Sequence, residues 1–221
     1  MGLLIQAGLK FSLGLIFSFI LVFVPAGTWK YFNGWLFIGL LFIPMLFLGI
    51  LLWLKAPKLL EKRLRGKEEE SEQKKVVVVS GLLFILGFIL AGLDYRFGWS
   101  ELPDWLVAEA SVLLLISYGL YAEVMRENSY LSRTVEIQEG QKVIDTGLYG
   151  IVRHPMYMAS SLLFVTFPLV LGSAVALPLF LLYPLLLAKR IKNEEALLLE
   201  GLPGYAAYCE KVRCRMLPFL W

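Results

Sequence analysis

The chain has 221 residues, 58% of them apolar and only 18% charged, with a formal net charge of +3. A water-soluble domain averages about 45–50% apolar and about 25% charged residues, so this composition excludes an ordinary soluble domain. The basic residues sit in loops beside apolar runs, without the aromatic-interleaved patch of a nucleic-acid surface, and no nucleic-acid partner is expected.

The first apolar run, Phe11–Val24, extends back toward Leu3. With Lys10 before it and Pro25-Ala26-Gly27 after it, it faintly resembles a signal peptide. The further spans that follow favour a retained first span. The second span is Trp35–Trp53, with a Trp at each end as interfacial anchor and Pro44 placed to kink it. The charge run 61–75 follows, within loop 54–75, and reads as a solvated helical extension or a mobile loop. Val76–Leu93 is the third span, and Trp105–Val124 the fourth, with Asp104 placed as its N-cap. The next apolar stretch runs from Met156 to Ala188. As one helix it would be about 50 Å long at ~1.5 Å per residue, against roughly 30 Å of hydrocarbon. Pro168 and Gly172-Ser173 near its middle predict a break, and therefore a hairpin.

The expectation is an all-α polytopic membrane bundle of about six spans, the last two forming the hairpin. It is a single membrane domain over 1–221: four N-terminal spans in 1–125, and a cofactor-binding and catalytic part in 126–221. Charge sets its orientation, because Lys and Arg concentrate in cytoplasmic loops. Loop 54–75 carries eight of the 21 basic residues, loop 125–155 carries four, and six follow the hairpin. This pattern predicts both termini and the pocket on the cytoplasmic side. It also requires the hairpin to return to the side it left, since Arg153 and Lys189 flank it. The tail cysteines, Cys209 and Cys214, then lie in a reducing compartment. They lack the His or Cys companions of a zinc site, and no metal is expected.

Polar residues at the end of such a bundle are candidates for function. Two clusters flank the hairpin, 146–157 and 189–218, and its two arms bring them together. Arg153-His154-Pro155 reads as a helix start, since Pro suits the first helical position and disfavours helix in the residue before it. Such a terminus can receive an anionic group, although a cap with a basic membrane anchor explains it equally. Arg190 and Glu194 are four apart on one helix face and can pair, with Glu195 about 100° away. An ordinary solvated ion pair is the alternative. Tyr205 and Tyr208 read as interfacial anchors.

In order, these pieces are Gly147-x-Tyr149, Arg153-His154-Pro155-x-Tyr157, the hairpin, Arg190-x-x-x-Glu194-Glu195, Leu198, Tyr205-x-x-Tyr208 and an ending from Val212 to Pro218. Together they resemble the isoprenylcysteine carboxyl methyltransferase family and its phospholipid methyltransferase relatives over roughly residues 130–218. Where the eukaryotic enzymes carry Phe-Gly after the double glutamate, this chain has Leu202-Pro203-Gly204. The resemblance implies S-adenosylmethionine as cofactor, bound without a Rossmann domain; no GxGxxG fingerprint is present. By the same resemblance the cofactor contacts are Gln138, Gln141, Lys142, Val143, Ile144, Tyr149, His154, Pro155, Met156, Tyr157 and Glu194. Arg190 is the substrate-side residue, with Arg153 and Glu195 beside it in the catalytic set.

The implied substrate is a lipophilic or prenylated small molecule reached from the bilayer. A carboxylate acceptor needs no general base, only alignment and exclusion of water, and the Arg190 fork can hold it. Phospholipid N-methylation is the alternative, with Glu195 as base. More distant is a sterol-type reductase using NADPH, and a non-enzymatic scaffold is the remaining class.

Overall fold

A computed structural model describes residues 2–64, 71–131 and 137–221. The described residues form eight α-helices and one 3-10 turn, with no strand among them. They are α1 (Leu3–Ala26), α2 (Phe32–Lys55), α3 (Pro57–Leu64), α4 (Ser71–Phe97), α5 (Asp104–Glu127), the 3-10 turn Gly147–Gly150, α6 (Pro155–Val170), α7 (Leu177–Gly201) and α8 (Tyr205–Lys211). Of the charge run 61–75, residues 65–70 lie outside the described residues.

Four helices are long and apolar enough to cross a membrane: α1, α2, the Lys74–Phe97 part of α4, and α5. The hairpin is present, with α6 ending at Val170 and α7 starting at Leu177. Its arms differ from the expected pair of full spans. The 16 residues of α6 reach about 24 Å at ~1.5 Å per residue, short of the hydrocarbon thickness. The 25 residues of α7 are long enough, but their apolar part stops at Ala188, where Lys189 and Arg190 begin a charged half. A polar site at this end of the bundle is what shortens the apolar runs. The structure also corrects the start of the fourth span: Pro103 is the N-cap of α5, and Asp104 lies in its first turn.

α1 is part of the packed bundle. Val22, Phe23 and Ala26 are buried, and α1 lies along α4 with Gly92 against the Val22 carbonyl. Phe37, Phe88, Phe167 and Phe180 form an aromatic core among α2, α4, α6 and α7, with centroids 4.9–6.1 Å apart. Gly87 is needed for this approach, because a Cβ there would stand 2.4 Å from the Phe180 ring.

Side-chain ties distinguish the two ends. At one end Tyr31 donates to the Leu171 carbonyl. Asp94 accepts from the Ser100 amide at 2.7 Å and hydroxyl at 2.6 Å, and from the Ser173 hydroxyl. At the other end the Lys10 ammonium reaches the Leu64 carbonyl. The hairpin therefore leaves from and returns to the end that carries α3 and the loop after α5.

Candidate active site

Arg153 and His154 begin the site. His154 is the N-cap of α6, and Pro155 occupies the first helical positions, as the local sequence predicts. Both backbone amides are used by the C-terminal tail: Arg153 donates to the Cys214 carbonyl at 2.9 Å and His154 to the Arg215 carbonyl at 2.8 Å. The Arg153 guanidinium donates to the Val212 and Arg213 carbonyls at 2.7 and 3.1 Å. The tail is thus strapped beneath the start of α6.

Glu195 completes this layer. Its carboxylate is 5% exposed and accepts from Arg153 Nε at 2.7 Å and Arg215 Nε at 2.6 Å, with His154 Nε2 3.4 Å away. Burial opposes its ionisation, but the hydrogen bonds from His154, Arg153 and Arg215 outweigh that and hold its pKa at about 2. A carboxylate so paired is a poor proton acceptor. The geometry therefore does not support Glu195 as a base; it is the anion that neutralises buried Arg153.

One helical position earlier, the neighbouring carboxylate behaves differently. Tyr157 donates its hydroxyl proton to Glu194 Oε2 at 2.6 Å and accepts from Arg190 Nε at 3.0 Å. The His154 and Tyr157 rings stack with centroids 5.7 Å apart, and the Arg190 guanidinium lies over the Tyr157 ring. Tyr157 thus links the expected substrate-side residue to the expected cofactor-side residue. Spacing alone predicts the shared face of Arg190 and Glu194, but not the phenol between them.

These residues open onto a cavity of about 290 Å³ between α5, the start of α6, the charged half of α7, α8 and the loop after α5. Small-molecule sites run from about 300 to 1,000 Å³, so this one lies at the compact end. Of the residues expected from sequence, Gln141, Lys142, Val143, Ile144, Tyr149, Arg153, His154, Met156, Tyr157, Arg190 and Glu194 line it. Gln138, Pro155 and Glu195 stand outside its walls. Gln138 is instead a strut: it accepts from Lys62 Nζ at 2.5 Å and donates to the Tyr130 carbonyl at 2.5 Å, tying α3 to the loop. The role of Pro155 is to start α6.

Tyr121, Asn128, Ser160 and Tyr183 also line the cavity and were not singled out by the sequence. Tyr121 and Ser160 hydrogen bond at 2.5 Å, and Asn128 donates to the Tyr149 hydroxyl at 2.9 Å. Tyr205 and Tyr208 line it as well, which corrects their reading as interfacial anchors. Tyr208 donates to the Tyr149 carbonyl at 2.7 Å, fixing the 3-10 turn. Only a polar residue at a helical offset from the motif, such as Ser160 one turn after Met156, offered a local signal.

The walls are unequal in charge. Among the described residues, Arg63, Lys142, Arg153 and Arg190 line the cavity with one carboxylate, Glu194, and Glu195 behind the wall neutralises Arg153. Among the described residues no group of His, Cys, Asp and Glu could hold a metal ion.

Residues 109–200 match the model of the Isoprenylcysteine carboxyl methyltransferase (ICMT) family. That stretch holds α5, the Arg153-His154-Pro155 cap, the hairpin and the Arg190–Glu195 segment. The fold is similar to the solved structure of the eukaryotic intramembrane Ras methyltransferase ICMT (isoprenylcysteine carboxyl methyltransferase), with a TM-score of 0.50 at 17% identity, covering 100% of this chain and 88% of that one. At that identity the structural likeness speaks for the fold, and the family match for the site region. Over residues 109–200, carried on a similar membrane fold, this chain is similar to the isoprenylcysteine carboxyl methyltransferase family.

Proposed function

We propose that the protein is an S-adenosylmethionine-dependent methyltransferase that methylates the carboxylate of a lipophilic, isoprenylcysteine-like acceptor. The observation that carries this reading is the Arg190–Tyr157–Glu194 chain on the wall of a cavity at the end of the hairpin. A cation for an acceptor carboxylate and an anion for a cofactor ammonium are held one helical turn apart by one phenol.

The residues present suit the cofactor. Glu194 and His154 offer partners for the ammonium and carboxylate of its amino-acid end. Val143, Leu198 and Leu202 offer an apolar wall for its adenosine end, and tyrosine faces attract a sulfonium. When bound, the cofactor supplies an electrophilic methyl group. The protein's part is positional: Arg190 holds the acceptor carboxylate through two N–H donors, and Tyr157 orients that guanidinium. The walls exclude water, which strengthens both interactions. The acceptor's apolar portion has Leu187 and the ring faces of Tyr121 and Tyr183 to lie against, where the cavity enters the helices.

Two observations favour a carboxylate over an amine acceptor. Arg190 lines the cavity with a planar fork of donors for a carboxylate, and Glu195, the base an amine would need, is consumed by two arginines. The test is methyl transfer from labelled S-adenosylmethionine by purified protein, with a prenylcysteine analogue and phosphatidylethanolamine as competing acceptors. The prenylcysteine is expected to take the label. Arg190→Lys, which keeps charge but loses the planar fork, is expected to reduce transfer at least tenfold while S-adenosylhomocysteine affinity changes little. Label in phosphatidylethanolamine, with Arg190→Lys near normal, overturns the carboxylate reading. Binding of NADPH in place of S-adenosylhomocysteine overturns the methyltransferase reading itself.

A further inference from the structure

Tyr205 presents an anomaly in an otherwise well-satisfied pocket. The residue is 4% exposed and lines the cavity, yet its hydroxyl is buried with no hydrogen-bond partner. Five other tyrosines around the site are engaged: Tyr208 with the Tyr149 carbonyl, Tyr149 with Asn128, Tyr157 with Glu194, Tyr121 with Ser160, and Tyr130 with the Gly140 carbonyl. A buried hydroxyl left unpaired costs about 1–3 kcal/mol, so one in the wall of a ligand cavity points to a partner that arrives with the ligand. Burial first, then the charges of Glu195 and Glu194, push its ionisation upward, so the hydroxyl remains a donor. The Cys209 thiol lies beside it and interacts with it electrostatically, but sulfur is a weak partner and does not satisfy the hydroxyl by hydrogen-bond geometry.

We infer that the Tyr205 hydroxyl is a cofactor-binding donor, engaging an acceptor atom on the adenosine half of the bound cofactor. This rests on the cofactor reading above and adds a residue to it. The surroundings select that half. Tyr205 packs in an apolar cluster with Leu198, Leu202, Tyr208 and Val143, all of which also line the cavity. Such a wall suits a flat heteroaromatic ring, whose ring nitrogens accept hydrogen bonds but cannot be ionic partners. The amino-acid half is better served by Glu194 and His154, which offer a carboxylate and an imidazole N–H.

The test uses full-length protein in detergent. S-adenosylhomocysteine and methylthioadenosine, which lacks the amino-acid end, are titrated calorimetrically, and melting is followed without ligand. Tyr205→Phe is expected to weaken both ligands by a similar factor, about tenfold, while the ligand-free Tm holds or rises because the orphan hydroxyl is gone. Ser80→Ala removes the other buried unpartnered hydroxyl, which lies outside the cavity walls, and should leave both affinities unchanged. Unchanged affinities in Tyr205→Phe overturn the assignment. Weakening of S-adenosylhomocysteine alone moves the contact to the amino-acid end and overturns the adenosine placement. A fall in ligand-free Tm with the loss of affinity makes the hydroxyl structural instead. If the wild-type protein binds neither ligand, the cofactor reading fails first and this inference goes with it.

Discussion

Glu194 and Glu195 are adjacent in sequence, yet the helix turns them to different tasks. Glu194 faces the cavity and meets a phenol; Glu195 faces the tail and meets two arginines. Removing one partner of a buried ion pair leaves an uncompensated charge, so Glu195→Gln is expected to destabilise the protein by about 3 kcal/mol, read as a marked fall in Tm. The pH dependence has a fixed sign. Glu195 ionises near 2 in the folded protein against its ordinary 4.5, so its contribution is complete above about pH 4.5 and is lost as pH falls toward 2. Glu195→Gln should flatten the acid limb of the stability profile. Unchanged melting together with lost methyl transfer would return Glu195 to the catalytic list. The cap at His154-Pro155 and the shared face of Arg190 and Glu194 are legible in sequence, because both follow from offsets of one to four residues. Gln138 as a strut and Tyr205 as a cavity wall are not, because each depends on a neighbour far along the chain.

The hairpin shows the same division at the level of elements. Its break is visible locally, since Pro168 and Gly172 cannot both sit comfortably inside one helix, and Gly172 takes a φ of +76° in the turn. What closes the turn is not local. Asp94, near the end of α4 and 1% exposed, gathers Ser173 from the turn and Ser100 from the α4–α5 connection. The Ser100 hydroxyl in turn accepts from the Ala174 amide at 3.0 Å. One carboxylate thus fixes the distal end of both hairpin arms against α4, opposite the cavity. Asp94→Ala strips the buried Ser173 hydroxyl and the part-buried Ser100 amide and hydroxyl of their acceptor, the buried one costing about 1–3 kcal/mol. The expected result is a fall in Tm of several degrees, with S-adenosylhomocysteine affinity preserved in protein that remains folded. Intact thermal stability would show that apolar packing of α4 on α7 holds the hairpin without this clasp.

At the scale of the whole molecule, two independent markers bear on where the membrane lies and which way it faces. Trp29, Trp35, Trp99 and Trp105 are all exposed at the end that carries the hairpin turn, as residues seated at a headgroup interface are. Most basic residues among the described residues occupy the opposite end. Lys10 lies two turns inside α1, but its ammonium reaches the Leu64 carbonyl and so joins that end too. Among the described residues, only Lys30 and Arg96 then remain as basic residues on the Trp-rich side. By the positive-inside rule we propose that the cavity end is cytoplasmic, where a charged cofactor is available without crossing the bilayer. We predict that, in a background lacking Cys209 and Cys214, a membrane-impermeant maleimide applied to the cytoplasmic face of sealed membranes labels Glu210→Cys, exposed on α8, and spares Ala174→Cys, exposed in the hairpin turn. From the other face the pattern should invert. Labelling of both sites from one face would mean that the hairpin turn does not reach the far interface. Labelling of Ala174→Cys alone from the cytoplasmic face would reverse the orientation of the bundle and put the cavity on the side away from its proposed cofactor.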